Sequence, residues 1–349
     1  MILIWFILFS KKVHFNYNFG TFSGQLKANL EHFETDQVTE FPDLAILSSP
    51  KSTWLLLSPT LFYKNEFMTL EGGLNLFSVF DDANGNSFKP YPKASFSFHT
   101  SENSFTLYAA IDGSLQNNSY SKMAEDNRWL NPTLLVKPSN QLNVFSGGIK
   151  GKISIPLAFN LGLKYSKAQE QYFYVTRVEN RSGHTYPTLE ELTYNNAFEV
   201  VYDDMSTLDF SGDLSYTTSA LHLLLAGHFY SYSPMKLEKA PYMPDFTLLG
   251  SADFSITDKI SGMAELLLTG PRNVMLKYYL PPVASSLPPA PIYLQTDPMI
   301  EINIGAKYQL IKNLDLFGKI ENLLNRKDEP WYGYTVQGIR FQLGASFSF

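Results

Sequence analysis

The sequence predicts an all-β fold: a transmembrane antiparallel β-barrel of about 16 strands. Three observations predict it. Apolar and polar residues alternate strictly through segment after segment, the mark of strands with one apolar and one polar face. The segments run to about ten to twelve residues, the length a tilted strand needs to cross a bilayer. Short and long connections alternate along the whole chain, as the two ends of such a barrel require.

Composition narrows the field. The chain has 349 residues, of which 17% are charged and 15% aromatic, with 27 Phe and 21 Tyr. Its net charge of −6 argues against a nucleic-acid partner. There is no cysteine, which excludes disulfides, thiol catalysis and cysteine metal sites. No run of 18 apolar residues exists, so no helix of this chain would cross a membrane. The opening MILIWFILFS has neither a basic segment before its apolar run nor a small-residue cleavage site after it. It reads as a strand or as the scar of a truncated start.

The strands follow in order. Val13, Phe15, Tyr17 and Phe19 alternate with His14, Asn16 and Asn18. Met68, Leu70, Gly72, Leu74, Leu76 and Phe80 alternate with Thr69, Glu71, Gly73 and Asn75. Leu208, Phe210, Gly212, Leu214 and Tyr216 alternate with Asp209, Ser211, Asp213 and Ser215. Ile300, Ile302, Ile304, Ala306 and Tyr308 alternate with Glu301, Asn303 and Lys307. The end of the chain keeps the pattern to its last residue: Ile339, Phe341, Leu343, Ala345, Phe347 and Phe349 against Arg340, Gln342, Gly344, Ser346 and Ser348. The only helix-like piece, TLEEL at 188–192, falls in a loop.

Short connections lie near 20–23, 64–66, 100–103, 154–156, 217–220, 257–259 and 309–312. Long ones lie near 35–52, 81–88, 117–141, 178–195, 233–245, 280–298 and 324–337, and hold the Pro, Asn and Asp clusters. A soluble sandwich would have shorter strands. The polar faces carry the charges Glu71, Asp213, Lys307, Lys319 and Glu321, which a wet lumen tolerates. Counting back from Phe349 gives about fifteen strands to KVHFNYNF, and parity then asks for an upward strand before residue 12. Either ILIWFILF supplies it through a tight turn at Ser10–Lys12, or strands lie upstream of Met1.

Few residues suggest chemistry. His222 and His228 share the polar face of one strand but sit about 20 Å apart at strand rise, too far to share a metal. His32 continues the lipid-facing series Leu26, Ala28, Leu30 near a loop. DDANGNS at 81–87 resembles the start of a calcium loop, but Ser87 stands where glycine is usual and no glutamate closes it, so a turn is the simpler reading. GGIKGK at 147–152 lacks phosphate-loop spacing and lies inside an alternating strand. Trp331, Tyr332 and Tyr334 leave two readings open: an interfacial girdle, or an aromatic rim that touches ligand. No catalytic constellation, metal site or cofactor site is visible, so the chain reads as a non-enzyme.

The last fifty residues resemble the end of TonB-dependent outer-membrane receptors. Asn313, Leu314, Phe317, Glu321, Asn322 and Leu323 fit that family's penultimate-strand pattern, and Trp331, Tyr334, Gly338 and Phe349 fit its aromatic loop and closing strand. YTVQG at 334–338 is similar to the Bacteroidetes-type variants. The resemblance implies a Gram-negative outer membrane, uptake of an unidentified solute, partnership with lipids and TonB, and a terminal Phe349 read by the barrel-assembly machinery. It also implies a larger barrel of about 22 strands, a plug domain and a signal peptide, none of which is found in 1–349. The chain is therefore expected to be a single barrel domain, the C-terminal portion of such a receptor, with sequence missing upstream. The alternatives are a plugless porin-like channel and a structural or adhesive barrel acting through its loops.

Overall fold

This chain pairs its backbone groups between strands rather than within helices, and it carries them in one continuous sheet. The computed structural model describes residues 2–39, 51–82, 84–100, 104–131, 134, 136–180, 190, 192–279 and 291–348. Among them are seventeen strands in a single sheet. The first six are β1 (Ile2–Phe19), β2 (Phe22–Thr39), β3 (Lys51–Lys64), β4 (Met68–Asp81), β5 (Ser87–His99) and β6 (Phe105–Gln116). A short helix, α1 (Tyr120–Asp126), precedes β7 (Ser139–Lys152), β8 (Leu157–Asn180), β9 (Leu192–Thr217) and β10 (Leu221–Pro234). Then come β11 (Phe246–Thr257), β12 (Ile260–Thr269), β13 (Asn273–Tyr279) and β14 (Ile292–Gln295). β15 (Met299–Ile311), β16 (Leu314–Glu321) and β17 (Arg340–Phe347) close the chain.

Each strand from β1 to β12 pairs antiparallel with the next, β12 pairs with β15, and β15–β16–β17 complete the wall. β13 and β14 stand outside this ladder, which leaves fifteen wall strands. Among the described residues β1 and β17 are not paired with one another, so the sheet is open. All seven short connections join wall strands at one end, and the long ones fall at the other, as the alternation predicts.

The two faces are legible in the register. One row of paired residues runs Phe19, Phe22, Tyr63, Leu70, Phe96, Ala109, Gly147, Leu163, Phe210, Phe229, Phe246, apolar or small at every strand. The neighbouring row on the opposite face runs Asn18, Ser23, Phe62, Glu71, Ser95, Ala110, Ser146, Lys164, Asp209, Tyr230. The apolar face is bare: Phe15, Phe19, Leu61, Phe80, Phe210 and Phe341 are all exposed. A soluble protein rarely tolerates a contiguous apolar surface of this extent. Lipid is the solvent that suits it.

The same row climbs across the wall. It starts beside the β1–β2 turn and, by β10, lies eight residues beyond the strand's first residue at Leu221. At ~3.4 Å per residue and ~4.8 Å per strand step that is a tilt of roughly 30°, near the range barrels need to close.

Several charges on the inner face are held by partners. Lys93 Nζ lies 2.5 Å from Glu71 Oε1, and Ser95 donates to the same carboxylate at 2.9 Å. Asn160 Nδ2 donates to Asp213 at 2.9 Å, and Lys319 Nζ and Arg340 Nε hold the two oxygens of Glu321 at 2.8 and 3.0 Å. GGIKGK lies on β7 as a strand, and Gly148 has a packing role there. A Cβ at Gly148 would come within 2.5 Å of the Tyr108 hydroxyl oxygen and 2.2 Å of the Leu161 carbonyl oxygen, so the ring crosses the inner wall only over glycine.

Two expectations are corrected. There is no turn at Ser10–Lys12: β1 is one strand, with Ser10↔Glu31, Lys11↔Leu30 and Lys12↔Asn29 in unbroken register with an equally long β2. No Gly, Pro or Asn lies there to break it. The helix of the described residues is α1, not TLEEL. Ser119 Oγ caps it by accepting from Lys122 N, and Met123 is buried under it. Glu190 lies in a single 3-10 position, Leu192 begins β9, and the rest of 188–191 lies outside the described residues.

Face assignment has a direct consequence. Leu163→Arg, at the lipid-facing middle of β8, is expected to cost about 2–4 kcal/mol of folding stability in vesicles. Asp213→Asn, which keeps an acceptor for Asn160, is expected to cost no more than about 1 kcal/mol. Denaturant unfolding from lipid vesicles measures both, and equal costs would mean that the faces are assigned wrongly.

Candidate functional site

The residues that gather outside the membrane band are brought there by a bulge. β7 stays paired with β8 only as far as Gln169, and β10 with β9 only as far as Met205. At that height β8 carries one extra residue, between Ala168 and Gln171, with Glu170 at φ 51°. A bulge bends and twists its strand. It also shifts the parity of β8, so that Tyr172, Tyr174 and Thr176 now pair with Tyr202, Val200 and Phe198.

Beyond the bulge, the β8–β9 hairpin has two vacated edges, and both are refilled. β13 pairs parallel with β8, from Leu276↔Thr176 to Tyr279↔Glu179. On the β9 side, Phe198 N donates to Trp129 O at 2.9 Å and Asn131 N donates to Phe198 O at 2.8 Å. The β10–β11 connection joins through Tyr242 N, which donates to Asn273 O at 2.7 Å. Three connections thus converge on one hairpin, and the β16–β17 connection, with Trp331 and Tyr334, is the fourth.

Their meeting point is aromatic. The Trp331 ring lies 5.0 Å from Tyr174, 5.4 Å from Phe198 and 4.8 Å from Tyr242. Tyr334 lies 4.0 Å from Trp129 and 5.8 Å from Phe198. Thr176 and Tyr242 share a hydrogen bond of 2.5 Å, and the Tyr174 hydroxyl donates to Met123 O at 3.0 Å. Burial pushes the Tyr174 and Tyr242 hydroxyls far above the ordinary tyrosine range, so both remain neutral donors. A cavity of about 350 Å³ opens between these rings, with Asp126, Gln171, Met243 and Arg272 among its lining.

Trp331, Tyr332 and Tyr334 are half-buried in this assembly. The sequence pointed to these three but not to their partners, because Tyr174, Phe198 and Tyr242 are strand and loop residues whose neighbours depend on the bulge. Phe349 lies outside the described residues. His222 Nδ1 lies 2.8 Å from Thr217 Oγ1 and His228 Nδ1 lies 3.0 Å from Asp209, so each has its own partner at a separate height. His32 sits 2.8 Å from Thr53 Oγ1. DDANGNS makes a turn: Asp81 Oδ1 accepts from Asn84 N at 2.7 Å, and Gly85, at φ 80°, donates to Asp81 O.

No family model and no curated protein matches the sequence. Solved structures do. The chain is similar to the copper transporter OprC at 13% identity and a TM-score of 0.68, over 100% of this chain and 57% of that one. It is similar to the pyoverdine outer-membrane receptor FpvA of Pseudomonas aeruginosa PAO1 at 12% and 0.65, over 98% and 52%. It is similar to the FrpB iron transporter of Neisseria meningitidis at 12% and 0.68, over 98% and 55%. The chain spans about half the length of each. These neighbours are TonB-dependent outer-membrane receptors, and at such identities the likeness is one of fold: this chain carries the antiparallel wall of their β-barrel, here as an open sheet.

Proposed function

We propose that the chain is the C-terminal barrel portion of a TonB-dependent receptor, which takes up a solute across the outer membrane of a Gram-negative bacterium. The observation that carries this reading is the unbroken apolar row across the outer face of a tilted ladder whose neighbours in fold are outer-membrane receptors. The open sheet supports the portion reading. Its fifteen wall strands alternate in direction, so β1 and β17 point the same way. Antiparallel closure between them takes an odd number of further strands, and lipid requires closure because it leaves no backbone group unpaired.

On this reading the energy-coupling partner is TonB, acting through a plug domain outside 1–349, and the last strand with Phe349 is the signal for the barrel-assembly machinery. YTVQG at 334–338 supports the Bacteroidetes-type branch. The aromatic assembly around Trp331, Tyr332 and Tyr334 is the part that meets solute, since the long connections converge on it. The reading needs no cofactor and assigns no catalysis.

Density-gradient fractionation of the native host tests it. The chain is expected in the outer-membrane fraction, and in mild detergent its gel mobility should shift on boiling. Recovery as a water-soluble monomer would overturn the reading.

A further inference from the structure

Arg272 has no use in the wall. It sits just before β13, beside the aromatic cavity, and is half-buried. Its Nη1 donates to the Pro330 carbonyl at 3.1 Å. Its Nε is sealed from solvent without a hydrogen-bond partner, and Nη2 donates to no protein acceptor among the described residues. No carboxylate lies within ion-pair distance of it among the described residues, in contrast to the paired charges of the inner wall. Burial pulls its proton affinity down, and Tyr232 and Tyr242, which face it, are held neutral by their own burial. A guanidinium keeps its charge under such conditions. A partly desolvated cation without a counter-charge is costly, and a bound anion would offset that cost.

The walls of the cavity complete the argument. Tyr172 and Tyr174 pack edge to face with centroids 5.5 Å apart, and Trp331 closes against Tyr174. Such surfaces favour flat rings by stacking and burial. The space of about 350 Å³ suits a one- or two-ring molecule and not a large chelate.

We propose that this cavity binds a small aromatic carboxylate, its ring held among Tyr172, Tyr174 and Trp331 and its carboxylate paired with the Arg272 guanidinium. The proposal deepens the solute-uptake reading by naming the solute class. It rests on that reading only for its physiological meaning.

The test is binding of 2-naphthoate to the full-length protein that carries this chain, purified from its native host in mild detergent and read by tryptophan fluorescence and calorimetry. 2-Naphthamide, of the same shape without charge, is the control. Naphthoate is expected to bind at least tenfold more tightly than the amide. Arg272→Gln should remove that preference, Arg272→Lys should restore part of it, and Tyr172→Leu should weaken both probes. Heat-shifted gel mobility verifies that each variant is folded. Equal binding of the two probes, no binding of either by the folded full-length protein, or an undiminished preference in folded Arg272→Gln would each overturn the site. Binding with no naphthoate uptake by the native host would leave the site standing and count against the transport reading. Uptake of another solute, without binding, would do the reverse.

Discussion

The fold depends on one constraint: in hydrocarbon, every backbone N–H and C=O must find its partner within the protein. A β-chain meets it only by pairing each strand on both sides. The ladder does so for every wall strand between β1 and β17, whose outer edges are open among the described residues. The alternation of side chains adds nothing to that pairing. It decides instead which solvent each face meets. Leu343 and Phe341 turn outward and stand almost bare, while Gln342 and Arg340 turn towards the paired acids of the inner wall. Where a ring must cross that wall, as Tyr108 does, glycine gives way beneath it.

The loop-end assembly follows from the same constraint above the band. Once β7 and β10 stop, the β8–β9 hairpin has two open edges. Water would satisfy them. The protein satisfies them instead with β13 and with residues 129–131. The bulge at Glu170 supplies the bend, and Asp203 fixes the adjacent connection by accepting from the backbone N–H groups of Lys236 and Leu237 at 2.7 and 2.9 Å. Side chains from four connections then pack around Phe198 and Trp331. The candidate site is thus a by-product of edge protection, as are many binding surfaces carried by loops on a rigid scaffold.

How much of this was legible in the sequence follows from which forces are local. Period-two alternation is a local property, so the strand faces around Phe210 and Asp209, and both classes of connection, could be read directly. The convergence on Phe198 could not, since nothing near Phe198 in sequence announces a parallel partner from residues 273–279. α1 escaped because seven residues carry too little periodicity to read, although Ser119 ahead of YSKMAED was a usable capping signal. Strand parity asks for a turn at Ser10–Lys12, but local chemistry there, two lysines and no Gly, Pro, Asn or Asp, favours a continuous strand. Trp331 was legible as important by type alone. Arg272 was not, because an unpaired charge shows itself only when its surroundings are known.

The central claim is that the two faces of this ladder meet different solvents. The chain has no cysteine, so single-cysteine variants along β9 from Thr207 to Tyr216 carry a spin label at one place only. In lipid vesicles, collision of each label with oxygen, which concentrates in hydrocarbon, is compared with collision with a water-soluble nickel chelate. The structure predicts strict alternation: oxygen dominates at 208, 210, 212, 214 and 216, and the chelate at 207, 209, 211, 213 and 215. Uniform access of the chelate along the whole strand would contradict a membrane wall.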